Sequence, residues 1–193
     1  MLGLKLPTDP RWAHIAEENL EEILSDHAYC EQKAASTAIS LMITYPEYSE
    51  LVTEMAALAR EEMSHFEMVH QRLLDRGFVL GRERKDEYVG RISHFFKKTS
   101  DRELRLIHRL LIAALIEARS CERFKVLSEH LEDEELASFY KRLMASEAGH
   151  YTLFLRLARS YGNRTEVDRL WSELLKYEGE VIKEFGTQEH IHG

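Results

Sequence analysis

Apolar residues recur along this chain at alternating steps of three and four. One stripe reads Leu51, Met55, Leu58, Glu62, His65 and Val69. A second reads Leu136, Tyr140, Leu143, Glu147, His150, Phe154, Leu157 and Tyr161. This is the period of helices packed along a bundle seam. The pattern predicts long helices over about 10–44, 47–75, 101–129 and 133–161, and a shorter amphipathic one over about 165–185. Asp9-Pro10 opens the first, Pro46 in "TYPEY" ends it, Gly77 stops the second and "YGN" the fourth. The glycine-punctuated, basic stretch 76–98 predicts a loop with a short helix, and the tail "TQEHIHG" predicts a frayed end. The chain has only three prolines, none beyond residue 46, so the predicted helices meet few breakers.

The elements repeat weakly. Each half carries one long helix, a brief connection, and a second helix bearing Glu-x-x-His, and the stretch 76–98 is long enough to return the chain between the halves. The expectation is one all-α domain over residues 1–193: a ferritin-like four-helix bundle with an additional C-terminal helix and a long crossover between its second and third helices.

Glu62/His65 and Glu147/His150 interrupt apolar stripes in the same manner. A buried carboxylate costs several kcal/mol unless it is paired or bound to a metal, so two such motifs in one core call for cations. A dinuclear metal centre needs one further carboxylate from each remaining helix. The first helix offers the seam Leu20, Leu24, His27, Glu31, Ala34, Ala38, Leu41 and Tyr45, in which Glu31 is the carboxylate. The third offers Glu117, on the seam of Ile107, Leu110, Ala114, Cys121 and Phe124, or Glu122, on a seam that turns polar. Glu31 precedes Glu62 by 31 residues, Glu117 precedes Glu147 by 30 and Glu122 precedes it by 25, which favours Glu117. Two other Glu-x-x-His matches are set aside. Glu67/His70 points away from the first pair, and Glu189/His192 lies in the tail. Carboxylate and imidazole suit iron or manganese, and six ligands for two ions leave positions open for dioxygen. The arrangement expected has Glu31 and His65 on one ion, Glu117 and His150 on the other, and Glu62 and Glu147 bridging, though spacing does not decide which carboxylates bridge.

Two cysteines, Cys30 and Cys121, are too few for a disulfide framework and point to a reducing cytoplasm. The N-terminal residues lack the apolar run of a signal peptide, and no apolar run is long enough to span a membrane. A net charge of −8 argues against indiscriminate nucleic-acid binding. Residues 82–109 are nonetheless basic, with nine Lys/Arg against five acids. They are interleaved with Tyr88, Phe95 and Phe96, a composition suited to a local phosphate contact with stacked bases or to a solvated helix face. His27 reads as a satisfied core histidine or a donor to Glu31, and Cys30 and Cys121 as packing. Arg119, Glu122 and Arg123 read as ligand-orienting groups or as a surface ion-pair set.

"HAYCEQKAASTA" (27–38), "EEMSHFEMV" (61–69), "LIEARSCERF" (115–124) and "SEAGHY" (146–151) resemble the signatures of the MiaE-type tRNA hydroxylases, in order and at compatible spacing. The departures, such as Tyr29 and Gln32, fall between the ligand positions. The resemblance implies a ferritin-like non-haem di-iron monooxygenase. Its two iron ions would be held by Glu31, Glu62, His65, Glu117, Glu147 and His150, with dioxygen as co-substrate and electrons from an external donor protein. The implied substrate is the isopentenyl group of 2-methylthio-isopentenyladenosine beside a tRNA anticodon, with 82–109 as the contact region. A monomer or small homo-oligomer is expected. The competing classes are another ferritin-like redox protein, peroxide-reducing or a manganese/iron oxidase, and an iron-storage or helical interaction protein.

Overall fold

The structure, a computed structural model, describes residues 2–185 and residue 191. Among these, all regular structure is helical: α1 (Trp12–Glu18), α2 (Leu20–Thr44), α3 (Ser49–Asp75), α4 (Glu87–Ser93), α5 (Arg102–His130), α6 (Glu134–Tyr161) and α7 (Arg164–Phe185). They fall in two compact units, one of residues 2–17 and 86–185, the other of residues 18–85 with Ile191.

In the second unit α2 and α3 pack as a hairpin. Pro46 has no N–H to offer and its ring blocks a continuing helix, so the chain turns over Tyr45–Tyr48, where the Tyr48 N–H donates to the Tyr45 carbonyl at 3.2 Å. The stripe predicted for α3 is the buried one: Leu51, Met55, Leu58, Glu62, His65 and Val69 are all buried, joined by Ala59 and Leu73. On α2 Ala38 is buried as expected, but its companion is Ala35 rather than Ala34. Gly77 ends α3 at φ +75°, a left-handed conformation that carries no Cβ penalty in glycine. It allows the N–H groups of Gly77 and Phe78 to reach the carbonyls of Leu74 and Leu73, each at 3.0 Å, closing the helix end.

In the first unit α5 and α6 form the second hairpin. Their N-termini are capped by aspartates: Asp101 accepts from the Leu104 N–H at 2.9 Å and Asp133 from that of Leu136 at 3.0 Å. Each cap contributes about 1 kcal/mol. Gly162 closes α6 where a Cβ would lie 2.6 Å from Ile107 Cδ1 and 2.9 Å from Val167 Cγ2, so a larger residue would require those side chains to shift. α7 packs on α4, α5 and α6. From Glu117 to Phe124 every residue of α5 is buried, which marks it as the central helix of its unit rather than a one-sided one.

One long first helix was expected over 10–44, and it is broken. Asn19, at φ −125° and ψ 41°, separates α1 from α2. Neither proline nor glycine marks the place. Tertiary contacts hold α1: Trp12, Ala13 and Ala16 are buried, and Glu17 accepts the N–H of Glu132 at the α5–α6 turn. The frayed tail predicted for 187–193, with Glu189/His192, lies outside the described residues except at Ile191. That residue is buried and donates its N–H to Asp26 at 2.8 Å.

Candidate metal centre

The helical period places Glu31 on the face of α2 that meets α3, and Glu62 and His65 one turn apart on the face of α3 that meets α2. All three are buried, and each offers a donor atom within 4.8 Å of the other two. His65 Nδ1 lies 3.2 Å from Glu62 Oε2 and 3.6 Å from Glu31 Oε2. On its other side Glu31 meets His27, whose Nε2 lies 2.7 Å from Oε1. Burial drives the Glu31 carboxyl upward, but the hydrogen bonds of His27 and His65 outweigh it and hold the group well below the usual carboxylate range. Burial drives His65 down, and Glu31 and Glu62 overcome that and raise it to about 10. The triad concentrates negative charge and retains a proton in answer to it.

The other unit carries the matching set. His150 Nδ1 on α6 is 3.9 Å from Glu147 Oε1 on the same helix and 3.9 Å from Glu117 Oε2 on α5. Glu117, Glu147 and His150 are buried. Cys121 lies one turn from Glu117. Burial first, then the charges of Glu117 and Glu122, push its thiol up to about 11, and its S–H donates to the Met144 carbonyl at 3.2 Å. It is a packed thiol and supplies no thiolate ligand. The sequence thus placed all six candidates on buried seams, three in each unit. Their chemistry, oxygen donors with one imidazole per triad and no Lys or Arg in the contacts described, fits iron or manganese.

Glu122, the alternative on α5, belongs elsewhere. It accepts the N–H of Thr8 at 2.8 Å, a short hydrogen bond from the Thr8 hydroxyl, and Arg119 Nη1 at 2.9 Å. Arg119 also donates Nε to Glu178 Oε1 at 3.0 Å and Nη2 to the Leu6 carbonyl at 3.1 Å. Tyr88 donates to the same Glu178 oxygen at 3.2 Å. Arg123 stacks its guanidinium 4.0 Å from the centre of the Trp12 ring. Arg119, Arg123 and Glu178 are 0% exposed, so of the two readings of Arg119, Glu122 and Arg123 the surface ion-pair set is excluded. Charged groups on the far face of α5 are covered by α4, α7 and the N-terminal segment. Sequence reading missed Glu178 and Thr8. A signal for Glu178 existed, because Val167, Trp171, Leu174, Glu178, Ile182 and Phe185 make a seam with one carboxylate in it.

In the basic segment Arg82, Lys85, Arg91, Lys97, Lys98, Arg102 and Arg105 are exposed. Phe95 and Phe96 are half-buried, Phe96 stacking on His108 at 4.0 Å and Phe95 lying 5.0 Å from Tyr177. Tyr88 is buried and leaves the set of surface aromatics. Glu67 is exposed, and His70 stacks on Phe66 at 6.0 Å, away from the triad.

Helical hairpins that place a carboxylate opposite Glu-x-x-His define a class, the ferritin-like proteins. This chain has that all-α fold: it matches the structure of a Synechococcus protein with aldehyde deformylating oxygenase activity at a TM-score of 0.90 and 32% identity, covering 98% of this chain and 95% of that one. Within the class, the chain belongs to the MiaE family, tRNA-(MS[2]IO[6]A)-hydroxylase (MiaE), which it matches over residues 2–193. Two relatives bear the name tRNA 2-(methylsulfanyl)-N(6)-isopentenyladenosine(37) hydroxylase. The Pseudomonas putida protein is 38% identical across 98% of this chain and 91% of its own length. The Salmonella typhimurium protein is 30% identical across 81% of this chain and 75% of its own.

Proposed function

We infer that this chain is a dioxygen-dependent monooxygenase that hydroxylates the isopentenyl group of 2-methylthio-isopentenyladenosine in tRNA. The observation that carries the reading is the coincidence of two buried Glu/His triads with family membership across the whole chain. Glu31, Glu62, His65, Glu117, Glu147 and His150 would hold two iron ions. With iron bound, dioxygen can be activated for insertion of one oxygen atom into an unactivated C–H bond. The second oxygen leaves as water, and an external donor supplies two electrons and two protons.

The chain's own contribution is to hold the charge and keep the reaction dry. Leu58 on α3, and in the other unit Leu110, Ala114, Leu143 and Phe154, are buried along the seams that carry the ligand candidates, and apolar neighbours of this kind would suit a prenyl group. The exposed lysines and arginines of 82–109 would take the phosphates of the anticodon loop, with Phe95 and Phe96 beside them. Such a substrate places the protein in the cytoplasm, and no helix among the described residues is long and apolar enough to cross a membrane.

The test is nucleoside analysis of tRNA from cells with and without the gene. The hydroxylated nucleoside should be present only with it, and the prenylated precursor should accumulate without it. Identical nucleoside profiles would sink the reading.

A further inference from the structure

Glu31 and Glu117 occupy corresponding places, each the seam carboxylate on the helix paired with a Glu-x-x-His helix. Their neighbours one turn back differ. For Glu31 that neighbour is His27, fully buried, with Nε2 2.7 Å from Oε1. For Glu117 it is Ala113, which has no donor. One turn forward of Glu117, the Cys121 S–H is directed at the Met144 carbonyl. A carboxylate that binds a metal is ionised and only accepts, so beside such a ligand His27 Nε2 would carry the proton of this bond. Both groups are buried, and no bulk water competes for it.

We infer that His27 is a positioning residue that makes the two triads inequivalent. It fixes Glu31 as a one-oxygen ligand through Oε2 and gives the Glu31/Glu62/His65 triad the higher metal affinity. The inference rests on the reading of these residues as metal ligands. Oε1 is taken by His27, whereas Oε2 is the atom on the His65 side, 3.6 Å from Nδ1. A ligand held in its binding orientation loses less freedom when metal arrives, and removing such outer partners costs about 10- to 100-fold in metal affinity. Glu117 lacks that restraint on its own helix and can offer one oxygen or both.

The test is a cobalt(II) titration of the metal-free full-length chain, read by the visible absorption of the bound ion, with circular dichroism as the check on folding. The wild type should bind in two phases. His27→Leu, similar in size but without a donor, should weaken the tighter phase by about 10- to 100-fold and alter its spectrum. His27→Gln, whose amide nitrogen falls where Nε2 was, should restore most of both. A Leu variant that binds as the wild type does would overturn the inference. Should the Leu variant not fold, His27→Asn decides: its amide is too short to reach Oε1, so equal binding by the Gln and Asn variants also overturns it. Glu31→Ala and Glu117→Ala separate the two levels. If neither lowers the cobalt stoichiometry, the ligand reading fails. If Glu31→Ala removes an ion while His27→Leu is silent, only the role of His27 fails.

Discussion

Arg119 on α5 and Glu178 on α7 form an ion pair in which neither side chain reaches solvent. Tyr88 donates to the same carboxylate and Glu122 engages the same guanidinium, so three helices of one unit, α4, α5 and α7, are tied through two residues. Removing one member of such a pair strands the other charge in the core. Glu178→Ala should therefore destabilise the protein by about 3–5 kcal/mol, seen as a lower denaturation midpoint. A loss below about 1 kcal/mol would mean that the pair is solvated in solution.

The separate environments of Glu117 and Glu122 give a direct contrast. Glu117→Ala should lower metal content and abolish hydroxylation, as should Glu147→Ala. Glu122→Ala should keep its metal and lose stability, because it removes one of the two carboxylates that face Arg119 and leaves the Thr8 N–H and hydroxyl without their acceptor. Metal analysis beside thermal melting distinguishes them, and the opposite assignment would move the site to Glu122.

RNA binding should follow the basic segment. Replacing Lys97, Lys98 and Arg102 with alanine removes three exposed positive charges. It should weaken tRNA binding and make the dependence of log affinity on log salt shallower by about 2–3 units, with metal content unchanged. An unaltered salt slope would assign the stretch to a solvated face.

The two thiols should differ in reactivity. At pH 8, Cys121, pushed up to about 11 by burial, would be thiolate in only about one molecule in a thousand, whereas Cys30 is partly exposed. Alkylation should modify Cys30 first and reach Cys121 only on unfolding. Equal rates in the native protein would contradict the packing described.

The metal-free chain should show a stability window set by Glu31 and His65. His65 is raised in the folded state from an ordinary 6.5 to about 10, so its contribution is full below about 6.5 and is lost as pH rises through about 10. Glu31 is lowered from 4.5, so its contribution is present above about 4.5 and is lost as pH falls below that. The pair should stabilise most between these limits. Melting temperatures that stay flat from pH 6 to 10 would rule this out.

Helical periodicity is local chemistry, and it carried far in this chain. Steps of three and four placed Glu62, His65, Glu147 and His150 on buried seams, because one face of a helix is set by residue number alone, and the near-equal spacings of 31 and 30 residues favoured Glu117 over Glu122. The turn at Pro46 and the stop at Gly77 were legible too, because proline and glycine act on the backbone locally, whereas the aspartate caps of α5 and α6 came only with the structure. The break at Asn19 was not legible, since neither proline nor glycine marks it and α1 is held by distant contacts such as that of Glu17 with Glu132, 115 residues away. Nor was the burial of Arg119, Glu122, Arg123 and Tyr88. Their sequence neighbours are those of a solvated helix face. What desolvates them is the arrival of Glu178, Thr8 and Leu6 from α7 and the N-terminal segment, 59 and 113–114 residues from their partners on α5. The sign of such a contribution depends on whether water remains, and only the tertiary structure removes it.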